Sequence, residues 1–266
     1  MQFSRGGLGA AKGPLSNWPR VEVLVRPGET AVTFDELDLG TYLDRLHACR
    51  RCPDVHSPPV VGAVAGARIL LIGQAPGPKE MASGKPFAWT AGTTLFRWMA
   101  SIGADEAEFR RKVYMGAVIR CFPGKLPGGQ GDRKPSPAEV ANCREHYQAE
   151  LKILRPHLVL LVGKLAIEQF IAHRRLDEVV GRSFALAHDG HGFTAIPLPH
   201  PSGLSRWVQT ASGKALLGKA LALIAAHRTW QQCFPAARNR QDGSTVRTPS
   251  QPAGKVSIID DDRCKR

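Results

Sequence analysis

ARILLIGQAPG, residues 67–77, is the stretch whose reading decides the fold. Its apolar run is short, shows no polar alternation and stops at Gly and Pro, so it reads as a buried strand breaking into a loop. Three similar runs follow: KVYMGAVIRC (112–121), HLVLLVG (157–163) and FTAIPLPHP (193–201). Helical patterning lies between them, at about 92–102, at 137–154 and from near Lys164, with a closing helix at 213–227. The 137–154 helix has a complete start signal: Ser136 as N-cap, Pro137 in the first turn and Glu139 three residues after the cap. Four strands separated by helices predict a parallel sheet covered on both faces, an α/β fold. Such sheets bind ligands beyond the carboxyl ends of their strands. The loops GQAPG (73–77), CFPG (121–124) and HPSG (200–203) all fall there.

Upstream, the first forty residues are rich in Gly and Pro and predict irregular structure, apart from a short strand at 21–27. A helical pattern runs from near Phe34 through Leu37, Leu43 and Leu46 to Cys49, and then the loop CRRCPDVHSPP (49–59) begins. Downstream, apolar periodicity ends at Pro235, and the composition there predicts a disordered basic tail. The expected organisation is an irregular extension over 1–33, one domain over 34–234 and a tail over 235–266.

The chain has 266 residues, 43% of them apolar, which is enough for a sizeable core. Its formal charge is +13. The tail holds seven basic and four acidic residues, so most of the excess belongs to the body. A polyanion is the partner that such a charge favours, because Lys and Arg displace counterions from phosphate. No stretch approaches the roughly 20 apolar residues of a membrane helix, and the N-terminus lacks the apolar core of a secretory signal. The expectation is a cytoplasmic monomer.

Six cysteines in such a chain favour metal ligation over a disulfide scaffold. Cys49 and Cys52 form a CxxC pair, Cys121 ends the second strand and Cys143 lies in the following helix. A tight pair plus two distant cysteines fits zinc and an iron–sulfur cluster about equally. Cys121 and Cys143 also fit ordinary buried cysteines. Cys233 and Cys264, at the edge of the tail and within it, are expected to be free thiols.

Several motifs stand in a fixed order: GQAPGPKE (73–80), KPF (85–87) with Ala91–Gly92, CFPG (121–124), DRKPSPAEVANC (132–143) and HPSGLSRW (200–207). Together with the four cysteines, this order resembles the iron–sulfur uracil-DNA glycosylases, known as family four, over about residues 49–223. The resemblance implies a three-layer αβα sandwich around a central four-stranded parallel sheet. It also implies hydrolysis of the N-glycosidic bond of uracil flipped out of DNA, leaving an abasic site. Cys49, Cys52, Cys121 and Cys143 then match the ligands of a structural [4Fe–4S] cluster, with zinc as the other occupant.

By the same resemblance Phe87 stacks on the flipped base and His200 is the donor to uracil O2. Ser202 contacts a phosphate, Arg206 a phosphate or the minor groove, and Leu204 is the wedge that holds the base out. Gly73, Ala75 and Ala117 border the pocket. The departures are specific. Gln74 stands where the family has an acid, and an amide cannot take a proton; Glu80 is the remaining carboxylate of that motif. Ala117 stands where the family has an Asn that reads the uracil edge. These two changes keep open a glycosylase for another deaminated or mismatched base, or a non-catalytic binder of uracil-containing DNA. A related branch becomes covalently trapped on DNA through a His in the loop after the third cysteine. The segment 124–137 holds no His, so turnover without an adduct is expected. This segment reads equally as a solvated loop and as a DNA-backbone contact.

Overall fold

The computed structural model describes residues 38–55, 57–129, 131–202, 206–235 and 264. The expectations for residues 1–33, for Leu204 and for the tail up to residue 263 lie outside the described residues. Helix α1 (Leu39–Ala48) opens the body, capped by Asp38, whose carboxylate accepts from the Thr41 amide.

Three strands are buried at every position: β1 (Ile69–Gly73), β2 (Val113–Ala117) and β3 (Leu158–Val162). Burial on both faces demands cover on both faces, as expected of parallel strands joined by helices. The connecting helices are α2 (Pro78–Ser83), α3 (Thr90–Ala100), α4 (Glu106–Lys112), α5 (Pro137–Leu154) and α6 (Lys164–Glu168). Beyond them come β4 (Phe184–His188), β5 (His191–Leu198), α7 (Arg206–Gln209), α8 (Ala211–Ala226) and α9 (Arg228–Cys233). The α5 start follows its sequence signal: Ser136 Oγ accepts from the Glu139 amide at 3.2 Å, and Glu139 Oε2 accepts from the Ser136 amide at 2.7 Å.

The sheet has five strands in the order β2-β1-β3-β5-β4, one more than the four expected. Strands β2, β1, β3 and β5 run parallel, and β4 pairs antiparallel with β5 at the edge. β4 is only half buried in alternation, so FALAH lacks the continuous apolar run that marks the other strands. Its signal lies in the turn. Asp189 and Gly190 both have positive φ, 48° and 73°, between the paired His188 and His191. An Asp-Gly pair is the usual sequence of a two-residue hairpin of this kind.

Tyr42 and Leu46 of α1 pack with Ala149 of α5 in a small satellite core. Between α1, α5 and β2 lies a buried polar group. Arg120 and Glu150 form a fully buried ion pair, and Glu150 Oε1 also accepts from Tyr42 at 2.9 Å and Tyr114 at 3.0 Å. Gly116 faces this group: a Cβ there would come within 3.0 Å of the Arg120 guanidinium.

Cys233 and Cys264 are joined by a disulfide, which corrects the expectation of two free thiols. Cys264 is packed into the main core, and no local pattern in the intervening segment announces that return. Among the described residues no helix is long and apolar enough to cross a membrane.

Candidate active site

Strand order reverses between β1 and β3, where open α/β sheets form a crevice at their carboxyl ends. A cavity of about 610 Å³ occupies that place. Its floor is Gly73, Gln74 and Ala75 after β1, Gly116 and Ala117 of β2, and Val162 of β3. The strand ends are locked in register. The Val118 amide donates to Gly73 O at 2.9 Å and the Ile119 amide to Gln74 O at 3.2 Å.

Phe87 and His200 both line this cavity. Phe87 has φ 54°, in the left-handed region that a non-Gly residue rarely adopts. Two features hold it there. Arg110 donates to Pro86 O at 2.9 Å and to Phe87 O at 3.2 Å. Gly92 admits the Phe87 carbonyl, since a Cβ at residue 92 would stand 1.8 Å from that oxygen. The ring lies over the strand end, with Cζ 3.1 Å from where a Cβ on Gly73 would be. Backbone held this way costs on the order of 1–3 kcal/mol and persists where the surroundings over-determine it.

The His200 ring packs on Gly163, which has φ 91° and would bring a Cβ 3.2 Å from Cδ2. Nδ1 accepts from the Ser202 amide at 3.2 Å. Burial holds the His200 pKa below its ordinary value. The side chain is therefore a neutral imidazole with its proton on Nε2, the nitrogen left for a ligand.

Gln74, Glu80, Ala117 and Ser202 line the same cavity. Glu80 Oε2 accepts from the Gly77 amide at 3.1 Å, closing the start of α2. Arg206 does not join the lining; it is exposed at the start of α7, whose Trp207 indole donates to Asp177. The rim is basic, with Lys79, Lys125, Arg133 and Lys134. Three contributors escaped the sequence reading: Arg110, Asp132 and the exposed rim residue Trp89. Arg110 acts 23 residues from its target, a separation without a local pattern.

Cys49, Cys52, Cys121 and Cys143 line a second cavity of about 30 Å³, between the end of α1, the end of β2 and α5. Burial pushes the Cys121 thiol up to about 11 and Cys143 up to about 12. These thiols are protonated at neutral pH, and a metal would have to displace their protons. Among the described residues no three His, Cys, Asp or Glu side chains gather closely enough to hold a single metal ion. The remaining charged lining is three arginines and Glu139, with Arg51 paired to Glu145 and Arg120 to Glu150. Arg50, Arg51 and Arg120 surround the thiols, Arg120 Nε and Nη1 are buried without a hydrogen-bond partner, and the Arg120 amide donates to Cys143 Sγ at 3.3 Å.

The family model of the uracil DNA glycosylase superfamily matches residues 59–224. A type-4 uracil-DNA glycosylase of Archaeoglobus fulgidus is 30% identical over 177 residues, 62% of this chain and 82% of its own length. One from Thermotoga maritima is 29% identical, covering 61% of this chain and 81% of its own. One from Saccharolobus solfataricus is 25% identical, covering 64% and 77%.

Proposed function

Because the chain belongs to the uracil DNA glycosylase superfamily, we propose that it hydrolyses the N-glycosidic bond of uracil in DNA and leaves an abasic site. The observation that carries this reading is the pairing of a strained aromatic, Phe87, with a neutral imidazole donor, His200, across one cavity at the strand ends. In this reading a flipped pyrimidine enters the cavity that both residues line. Phe87 stacks on its face. His200 Nε2 donates to O2, where negative charge grows only as the bond breaks, so the contact lowers the barrier rather than merely binding substrate. The backbone at Gly73, Gln74 and Ala75 closes the pocket floor. Ser202 and the basic rim take the phosphates, with Arg206 reaching the strand beside Leu204 as the wedge.

Ala117 supplies no amide to read the base edge, and its place in the cavity lining favours a second reading, excision of another deaminated or mismatched base. One assay separates the two. Oligonucleotides carrying uracil, hypoxanthine, xanthine or a T:G mismatch are incubated with the protein and cleaved with alkali. Uracil strands are expected to yield the abasic product, with no protein–DNA band surviving denaturation. Tight binding without cleavage would make the protein a binder.

The four cysteines are proposed to hold a [4Fe–4S] cluster. Zinc is the alternative occupant, since a tight pair plus two further cysteines also fits a tetrahedral ion. The cluster ties α1, β2 and α5 together and takes no part in the hydrolysis. Cys143→Ser is expected to abolish the visible thiolate-to-iron absorption, lower iron content and reduce soluble yield. Full iron loading in this variant would sink the ligand assignment.

A further inference from the structure

We propose that Asp132 is the group that takes the proton of the attacking water; this inference rests on the glycosylase reading above. Hydrolysis adds a water oxygen to C1′ as the C1′–N1 bond breaks, and the water proton needs an acceptor. The cavity lining offers few. Gln74 cannot accept a proton, and His200 has Nδ1 engaged by the Ser202 amide and Nε2 protonated. The carboxylates in the lining are Glu80 and Asp132. Each accepts one hydrogen bond, Glu80 Oε2 from the Gly77 amide and Asp132 Oδ1 from Lys125 Nζ, but Glu80 closes the start of α2 while Asp132 stands on a separate hairpin.

Asp132 is differently placed. Its Oδ1 accepts from Lys125 Nζ at 2.7 Å, while its Oδ2 stands 3.3 Å from where a Cβ on Gly77 would be. A side chain at residue 77 would fill the space between the two carboxylates, since the same Cβ would lie 2.8 Å from Glu80 Oε2. The segment bearing Asp132 is a built hairpin. Lys125 and Asp132 form a β-bridge, the Leu126 amide donates to Gly131 O at 3.1 Å, and the Arg133 amide donates to Gly124 O at 2.9 Å. The Arg133 guanidinium grips both oxygens of Glu139, at 2.6 and 2.9 Å, and so fastens the hairpin to the first turn of α5. Asp132, whose side chain is 43% exposed, thus stands at the solvent edge of the cavity lining, beside Gly77 of the β1–α2 loop.

In the step, the water oxygen bonds to C1′ and the C1′–N1 pair leaves with uracil, whose O2 is held by His200. The water proton passes to Asp132 Oδ2, and solvent later protonates the uracil anion and receives the proton from Asp132.

The test is single-turnover excision from uracil-containing duplex, measured beside the dissociation constant for the same DNA. Asp132→Asn is expected to slow excision on the order of a hundredfold with binding unchanged or tighter, because a negative charge has left the DNA face. Glu80→Gln is expected to slow it less. Formate added to Asp132→Ala is expected to restore part of the rate, which a purely structural role would not allow. A wild-type rate in Asp132→Asn, an equal loss in Glu80→Gln or no rescue by formate would overturn the assignment while leaving the glycosylase reading intact. If the wild-type protein releases no uracil, both readings fall together.

Discussion

His200→Ala is expected to slow uracil release in a single turnover on the order of 10²–10³-fold while changing the affinity for uracil-containing DNA little. The asymmetry follows from the site. The imidazole is neutral, so it has little to offer the uncharged base, and it matters once charge reaches O2. Comparable losses in rate and affinity would contradict this role. The pH dependence has a definite sign. Burial lowers the His200 pKa, so the neutral donor persists as pH falls through the ordinary histidine value of about 6.5. The rate should hold across that value and fall only below it. The unfolded chain takes up a proton at about 6.5 that the buried ring refuses, so this group's stabilisation is present above that pH and is lost as pH falls toward the lowered native value.

Glu150→Ala is expected to lower the unfolding free energy by about 3–5 kcal/mol, because it leaves the Arg120 charge buried without its partner. Tyr114 loses its acceptor in the same step, and Tyr42 is left with the His146 carbonyl at 3.3 Å. Burial by itself pushes the Glu150 carboxyl up from its ordinary value, and Arg120 with the two hydroxyls pulls against that. Urea titration reads the loss as a lower midpoint at an unchanged slope. A change below about 1 kcal/mol, the size expected of an exposed pair, would show that this pair does not hold α5 against β2.

The strands of continuous apolar character were legible because burial on both faces leaves an unbroken run, as in residues 69–72. The α5 start was legible because Ser136, Pro137 and Glu139 carry a complete local cap. β4 was not, since its half-buried alternation with small residues is weak and its clearest mark is the Asp189–Gly190 turn. Within the site, Phe87, in the KPF motif between α2 and α3, and His200, in the HPSG motif after β5, were legible as motif residues, and both line the cavity. What holds Phe87 was not: the clamp by Arg110 and the gap at Gly92 are contacts between elements. Asp132 escaped because its place depends on a hairpin register that Gly-rich composition disguises as an open loop.

The disulfide gives the molecule two sulfur chemistries with opposite demands. Cys233–Cys264 is an oxidised, buried pair, whereas Cys49, Cys52, Cys121 and Cys143 are free thiols that oxidants can consume. A strong thiol reductant protects the four and opens the link, releasing a loop of 31 residues and with it a few kcal/mol of chain-entropy stabilisation. Exposure to air does the reverse. Samples handled in different buffers will therefore differ in both thermal behaviour and the number of titratable thiols, and the two need not rise or fall together.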